Sequence, residues 1–194
     1  MLRPSIIYFD YHGVLDRRTF PGLRRAIGQA TNDAHRVEEE IERSLQEPYL
    51  SNRMTPKDFW QQVEQQFGHA AATAGKKYYL HIDPIRQNWE LVNRLARKVG
   101  LGLFTDCPAD KMQAIRNSYD LPEFFDVLLL SCDARMTKSE PEFYHLLLQN
   151  GQYTPEEVLV IDRNSRNTMT AQQVGIPSFT YTDIPSLEHF LSTL

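Results

Sequence analysis

Carboxylate and hydroxyl side chains directly follow four short apolar segments of this sequence. Asp10 follows the first segment and Asp162 the fourth, while Thr105 and Ser131 follow the two between them. If these segments are strands of one open parallel sheet, their carboxyl ends meet at the edge where ligands of such sheets bind. Two carboxylates at that edge could share a hard cation such as Mg²⁺, which prefers oxygen ligands.

A lysine adds a positive charge to this group. Lys138 lies in the loop after the third apolar segment, where its ammonium could neutralise a carboxylate or a phosphate. Each residue alone has an ordinary structural explanation, because a lone Asp or Thr at a strand end usually caps a turn and a loop Lys is usually solvated. The order Asp, Thr, Lys, Asp at successive strand ends favours a functional site instead.

Five apolar segments have the length and composition of buried strands. Segments with helical signals lie between the last four, as where Phe143 and Leu147 recur at helical spacing before Gly151. This alternation predicts an α/β fold with a parallel sheet covered on both faces. The predicted strands are Ile6 to Phe9, Leu101 to Phe104, Val127 to Leu130, Val158 to Ile161 and Ser178 to Tyr181.

The segment between the first two strands has a different amino-acid composition, which is rich in Gln, Glu, Arg and Ala and poor in strand signals. Thr31-Asn32-Asp33 precedes one amphipathic helical pattern, and Thr55-Pro56 begins another that Gly68 ends. We therefore expect an inserted helical module within a discontinuous sheet domain. The predicted domains are a core of residues 1–16 plus 84–194 and a helical cap of residues 17–83.

The composition is that of an ordinary folded domain. The chain has 194 residues, 41% of them hydrophobic and 24% charged, and at this length it buries enough surface to fold without metal or disulfide. Cys107 and Cys132 are therefore expected to be reduced thiols. No apolar run approaches the roughly 20 residues of a membrane span, and the N-terminal one is too short for a secretion signal.

The charge balance argues against a nucleic acid or membrane partner. The net charge is −4 and the pI about 5.9, so no bulk positive field attracts a polyanion. We expect a cytoplasmic monomer or homodimer that acts on a small molecule. Three local basic pairs are expected to be solvated: Arg17-Arg18, Arg24-Arg25 and Lys76-Lys77.

Four motifs in order resemble those of the haloacid dehalogenase superfamily, in particular its phosphatase-like members with a helical cap inserted after the first motif. The resemblance covers nearly the whole chain and implies a Rossmann-like, doubly wound parallel sheet with an inserted helical cap. The matching segments are Ile6 to Asp16, Leu103 to Asp106, Ser131 to Tyr144 with Lys138, and Val158 to Asn167 followed by Ala171 and Gly175-Ile176.

The resemblance also implies a mechanism. A nucleophilic aspartate would attack phosphorus and form an aspartyl-phosphate, while Mg²⁺ would neutralise charge on the transferring group. The implied catalytic residues are Asp10, His12, Thr105 and Lys138, the implied metal ligands are Asp10, the backbone carbonyl of His12 and Asp162, and the implied substrate-binding residues are Thr105, Asp106 and Lys138.

Three positions depart from the family pattern, and one of them, Ser139 after Lys138 where proline is usual, is a minor change. His12 stands where the family's phosphatases carry an aspartate that acts as general acid and base, and a protonated imidazole at this position would predict an acidic pH optimum. Arg163 stands where the fourth motif carries a second acid, and its positive charge would weaken Mg²⁺ binding if it points inward. The departures put both proton transfer and metal binding in question.

Three functions are compatible with these residues. The first is a Mg²⁺-dependent phosphatase of a small phosphorylated metabolite. The second is a catalytically impaired protein of the same fold that binds a phosphorylated ligand or a protein partner, which the changes at His12 and Arg163 motivate. The third is a 2-haloacid dehalogenase that forms an ester on Asp10 without metal, and Asp162 argues against it.

Aromatic residues of the inserted module could either line a substrate pocket or form the module's own core. The latter is the more common role of aromatic side chains on the helices of a small module. The residues concerned are Tyr49, Trp60, Tyr78, Tyr79 and His81.

Overall fold

A computed structural model describes residues 4–31 and 33–194. Residues 1–3 of the predicted core and Asn32 of the predicted helix start lie outside the described residues. The described chain contains one sheet of five parallel strands in the order β3-β2-β1-β4-β5. The strands are β1 (Ile6–Phe9), β2 (Gly100–Thr105), β3 (Val127–Leu130), β4 (Val158–Asp162) and β5 (Ser178–Thr180).

Helices connect these strands and also form the module between β1 and β2. Two short 3₁₀ turns, Leu121–Glu123 and Pro155–Glu157, precede β3 and β4. The helices are α1 (Phe20–Gln29), α2 (Ala34–Glu40, continued by a π-helical turn at Ile41–Leu45), α3 (Gln46–Leu50), α4 (Pro56–Phe67), α5 (His69–Tyr79), α6 (Arg86–Leu95), α7 (Ala109–Arg116), α8 (Ser131–Ala134), α9 (Pro141–Gly151), α10 (Ser165–Gln173) and α11 (Ile184–Ser192).

Strands β1 and β4 are neighbours at the point where the strand order reverses. Their register pairs Phe9 with Ile161, and the N–H of Asp10 donates to the carbonyl of Ile161 at 2.9 Å. The residues that follow these two strands are therefore side by side at the carboxyl end of the sheet. A ligand site is expected there in a doubly wound fold.

The strands are apolar because the central ones are covered on both faces. All five residues of β4 are buried, and so are all four of β1. One apolar cluster, which includes Phe9, Leu103 and Ile161, covers one face of the sheet, and a second, which includes Tyr8 and Val160, covers the other. This arrangement confirms the predicted α/β fold with a doubly wound parallel sheet and an inserted helical cap.

The five helices between β1 and α6 have an apolar cluster of their own, made only of residues from Phe20 to Tyr79. The sequence signals act as expected: the side chain of Asp33 caps α2, and that of Thr55 caps α4 by accepting from the N–H of Asp58 at 3.2 Å. Gly68 separates α4 from α5 at φ +92°, a conformation that side chains rarely adopt. The separate apolar cluster supports the predicted division into a core and a cap. We retain the boundaries of these two domains as a proposal.

The chain enters and leaves the cap beside a buried aspartate. Asp16 accepts the N–H groups of Arg18 and Asp83 at 2.7 and 2.8 Å, while Arg17 and Asp83 are joined through their backbones. Lys111, which is completely buried, lies 4.0 Å from the same carboxylate. These bonds tie the two crossings of residues 17–83 to each other and to the core helix α7.

A second attachment joins the far side of the cap to the core through Asp110 at the start of α7. Its carboxylate accepts the hydroxyl of Tyr49 at 2.8 Å and the indole N–H of Trp60 at 2.8 Å. Tyr49 and Trp60 come from α3 and α4 and are almost fully buried. One carboxylate of the core therefore satisfies two buried donors of the cap.

We expect Asp110→Ala to destabilise the protein by about 2–4 kcal/mol, because it leaves two buried donors without a partner. The matched control is Asp133→Ala, which removes a surface carboxylate 3.7 Å from Arg116 and should cost less than about 1 kcal/mol. Urea unfolding of both variants measures the difference. Equal losses would show that the Asp110 contacts do not stabilise the cap on the core.

Candidate active site

One buried ammonium joins the two aspartates at the carboxyl end of the sheet. The Nζ of Lys138 donates to Oδ1 of Asp10 at 2.7 Å and to Oδ2 of Asp162 at 2.6 Å, and it also lies 3.3 Å from the carbonyl oxygen of Phe104. Lys138 and Asp162 are each 1% exposed and Asp10 is 6% exposed. The structure thus brings together three of the residues that the sequence predicted, with the lysine between the carboxylates.

The electrostatics of this cluster reflect its burial. Desolvation raises the pKa of Asp10 to about 7, although Lys138 opposes the shift, and the nearby Asp162 adds to it. Desolvation alone would lower the pKa of Lys138, but Asp10 and Asp162 outweigh it and raise that pKa above its usual range. Lys138 is therefore charged at neutral pH, while Asp10 changes protonation state close to it.

The carboxylate of Asp162 is held by three donors. Lys138 and the amide of Asn167 donate to Oδ2, the latter at 2.9 Å, and the N–H of Asn164 donates to Oδ1 at 2.7 Å. Both oxygens are thus hydrogen-bonded inside the protein. This geometry fits a residue that orients Lys138 and the loop after β4.

Thr105 and Asp106 end β2 next to this cluster. Thr105 is completely buried, and its hydroxyl accepts the N–H of Tyr11 at 3.4 Å. The side chain of Asp106 accepts the backbone N–H of Lys138 at 2.9 Å, and burial raises the pKa of that carboxyl to about 6. Asp106 lines a cavity over this cluster, whereas Thr105 is buried against the loop after β1 and hydrogen-bonds the side chain of Asp10.

His12 is oriented through both nitrogens of its ring. Nδ1 lies 2.9 Å from the carbonyl oxygen of Arg18. Because a carbonyl oxygen only accepts hydrogen bonds, Nδ1 carries the ring proton. Nε2 then accepts a hydrogen bond from the hydroxyl of Tyr79 at 3.5 Å. Burial and the neighbouring cation of Lys111 lower the pKa of His12 to about 3. The imidazole of this tautomer is neutral at physiological pH, whereas the proton donor that the sequence suggested requires a protonated ring.

A cavity of about 620 Å³ opens over the cluster, a size typical of sites for small ligands. Its wall contains six cationic and four acidic side chains, although the chain as a whole has a net charge of −4. The cations are Arg17, Arg24, Arg25, Lys138, Arg163 and Arg166, and the acids are Asp10, Glu42, Asp106 and Asp162. Such a wall favours an anionic ligand.

Three of these arginines belong to basic pairs that the sequence predicted to be solvated, and for Arg24 that prediction is wrong. Arg24 is 8% exposed and pairs with Glu38 at 2.7 Å, because α1 packs against the helix that carries this glutamate. Arg25 is exposed at the cavity, and Arg17 pairs with Asp83 at 3.2 Å. The sequence alone does not show that Arg24 lies on a helix that packs against another cap helix.

The aromatic residues of the cap divide between core and cavity. Tyr49, Trp60 and Tyr79 belong to the apolar cluster of the cap, and Tyr79 stacks on His12 with ring centroids 5.5 Å apart. Tyr78 lines the cavity. His81 is exposed and contributes only its carbonyl, which accepts the Nζ of Lys111 at 2.8 Å.

The fold and the site together define a class: hydrolases with a doubly wound sheet, a helical cap, and an Asp, Thr, Lys, Asp constellation at the switch point. The chain belongs to the family of haloacid dehalogenase-like hydrolases, whose model matches residues 29–181. No helix of the described residues has the length and apolar character needed to cross a bilayer.

Three similar proteins illustrate this membership. The chain is 24% identical to a phosphorylated carbohydrates phosphatase of Thermotoga maritima, over 88% of this chain and 81% of that one. It is 23% identical to a sesquiterpene phosphatase of Aspergillus oryzae, over 71% and 72%. A HAD family enzyme of Bacteroides thetaiotaomicron, solved in complex with magnesium and inorganic phosphate, has the same fold with a TM-score of 0.78 and 18% identity, over 95% and 99%.

The residues present do not fit the magnesium site that the sequence resemblance implied. Of the two carboxylates predicted as ligands, Asp162 has both oxygens occupied by N–H donors, and Oδ1 of Asp10 faces the Lys138 ammonium. Within residues 4–31 and 33–194, no three His, Cys, Asp or Glu side chains converge as metal ligands. The next position along the β4 loop, 163, adds a guanidinium rather than a third carboxylate.

We expect Lys138→Met to destabilise the protein by about 3–5 kcal/mol at pH 8, since it leaves two carboxylates buried without their counter-ion. Without the ammonium, the pKa of Asp10 rises further above its unfolded value. The folded variant then binds an extra proton, and the deficit shrinks as the pH falls toward 5. Urea unfolding at several pH values measures this trend.

The control for Lys138→Met is Lys98→Met, which changes an exposed lysine and should alter the stability by about 0.5 kcal/mol or less. A deficit in Lys138→Met that stays constant between pH 5 and 8 would contradict the proposed charge cluster.

Proposed function

We propose that this protein is a phosphomonoester hydrolase of a small phosphorylated metabolite that acts through an aspartyl-phosphate on Asp10. The observation that carries the proposal is the position of Asp10, at the floor of a cation-lined cavity with one carboxylate oxygen held by Lys138 at 2.7 Å. The relatives named as phosphatases support the same reaction class.

Asp10 is the nucleophile in this proposal. Because Lys138 contacts Oδ1, we assign the attack on phosphorus to Oδ2. The bond from phosphorus to the leaving oxygen breaks as the bond to Asp10 forms, and water then releases phosphate from the aspartyl-phosphate. Lys138 stabilises the negative charge of the transferring group beside Asp10.

His12 serves the second step. Its Nε2 has no proton in the tautomer that the Arg18 carbonyl fixes, so it can accept a hydrogen bond from the attacking water and orient it. A neutral imidazole of this tautomer has no Nε2 proton to give to a leaving alkoxide. The proposal therefore favours leaving groups that depart without protonation, such as phenolates.

The second candidate is a protein of this fold that binds a phosphorylated ligand without turning it over. The neutral state of His12 favours it, because no other proton donor is assigned at the site. The two candidates share the ligand chemistry and differ in turnover, so release of phosphate from an aryl phosphate separates them.

We expect aryl phosphate hydrolysis to increase from pH 5 through about pH 7 and then level off, because the pKa of Asp10 is raised to about 7 and attack requires the ionised carboxylate. Asp10→Asn should abolish turnover, whereas the surface control Asp133→Asn should retain it. Turnover that declines from pH 5 to 7 would instead indicate a protonated His12. Lack of turnover by the wild-type protein would favour the binding protein.

His12→Ala should slow hydrolysis of the aspartyl-phosphate about tenfold, because the attacking water loses the acceptor that orients it. The first step should be affected less, so a burst of phenolate followed by slow turnover is expected in stopped-flow measurements. His189→Ala, which changes an exposed histidine outside the cavity, is the control. Equal steady-state rates in both variants would contradict the role of His12.

A further inference from the structure

Arg163 extends from the loop after β4 into the wall of the cavity that contains Asp10 and Lys138. The side chain is exposed, and among residues 4–31 and 33–194 it has no ion pair or side-chain hydrogen bond. The four acids that line the cavity have other partners: Asp10 and Asp162 contact the Lys138 ammonium, Asp106 accepts the backbone N–H of Lys138, and Glu42 lies 3.9 Å from Arg24. The Arg163 guanidinium is thus available to a ligand.

The aliphatic part of the Arg163 side chain packs against the loop that follows Asp10. Gly13 has φ +79°, and a Cβ built on it would lie 2.7 Å from Cδ of Arg163 and 3.5 Å from its Cβ. Only glycine leaves room for this close approach. The loop after β1 and the loop after β4 are therefore packed together through Arg163. The contact is at Gly13, three residues after the proposed nucleophile Asp10.

The segment that follows Arg163 adds to the positive field. Asn164 caps α10, a helix of nine residues, and both Asn164 and Arg166 line the cavity. The N-terminus of a helix carries partial positive charge and backbone N–H groups suited to phosphate. The Arg163 guanidinium, the Lys138 ammonium and the N-terminus of α10 thus lie at one cavity. The carboxylates of this cavity that Lys138 engages do not suit a divalent cation.

We propose that Arg163 and Lys138 form a phosphate-binding site that operates without a divalent metal. Arg163 presents a planar fork of N–H donors that suits phosphate oxygens, while the buried ammonium of Lys138 supplies positive charge beside Asp10. The inference rests on the proposed function, since the phosphoryl group must sit within reach of Asp10. It adds that two side-chain cations, rather than a divalent metal, neutralise the charge of the phosphoryl group.

Isothermal titration of inorganic phosphate, with either EDTA or MgCl₂ present, tests this proposal without depending on turnover. The wild-type protein should bind phosphate equally under both conditions. Arg163→Gln should weaken binding roughly tenfold, as expected for the loss of a charge-assisted hydrogen bond, and Arg163→Lys should recover part of it. The control Arg97→Gln, an exposed arginine outside the cavity, should bind as the wild type does.

Phosphate binding that requires Mg²⁺ in the wild type would overturn the proposal, and so would equal affinities in Arg163→Gln and Arg97→Gln. Thermal melting of each variant checks that the fold is retained, which is expected because Arg163 is exposed. Metal-independent binding through Arg163 in a protein that does not hydrolyse aryl phosphates would refute the proposed reaction and leave the binding site intact. Hydrolysis of aryl phosphates that requires Mg²⁺ would support the proposed reaction and refute the metal-independent binding site.

Discussion

The buried ammonium of Lys138 between Asp10 and Asp162 is the interaction on which the rest of the site depends. Two carboxylates at adjacent strand ends repel each other in a buried environment, and a cation 2.7 and 2.6 Å away offsets that repulsion. The lysine comes from the loop after β3, so it also joins three strand ends in one cluster. Because the Lys138 ammonium already contacts both carboxylates, Asp10 and Asp162 do not suit a second cation such as Mg²⁺.

The cap covers this cluster, and its attachments to the core include buried polar contacts. Asp16 holds the two crossings of the chain, Asp110 holds Tyr49 and Trp60, and the hydroxyl of Ser131 donates to the carbonyl of Leu50 at 2.6 Å. Because these bonds fix the cap relative to the sheet, α1 presents its arginines at the mouth of the cavity. The cavity is therefore cationic in a protein of net negative charge.

The sequence predicted the strands and two of the cap helices, α2 and α4, because apolar runs, capping residues and Gly68 are local signals. It also placed Asp10, Thr105, Lys138 and Asp162 at strand ends, and the parallel sheet brought three of these side chains into contact. It did not predict that Arg24 is buried, nor that the carbonyl of Arg18 fixes the tautomer of His12. Both depend on the packing of the cap against the core, which no local pattern encodes.

The central claim is that Asp10 is the nucleophile, and peptide mapping of enzyme quenched in acid during aryl phosphate turnover tests it most directly. Acid preserves an acyl phosphate, so mass spectrometry can locate the bound phosphoryl group. We expect it on the peptide that contains Asp10, with loss of the modification on treatment with hydroxylamine, and more of it in His12→Ala. A phosphoryl group on His12, or turnover with no modified peptide in either protein, would contradict the account.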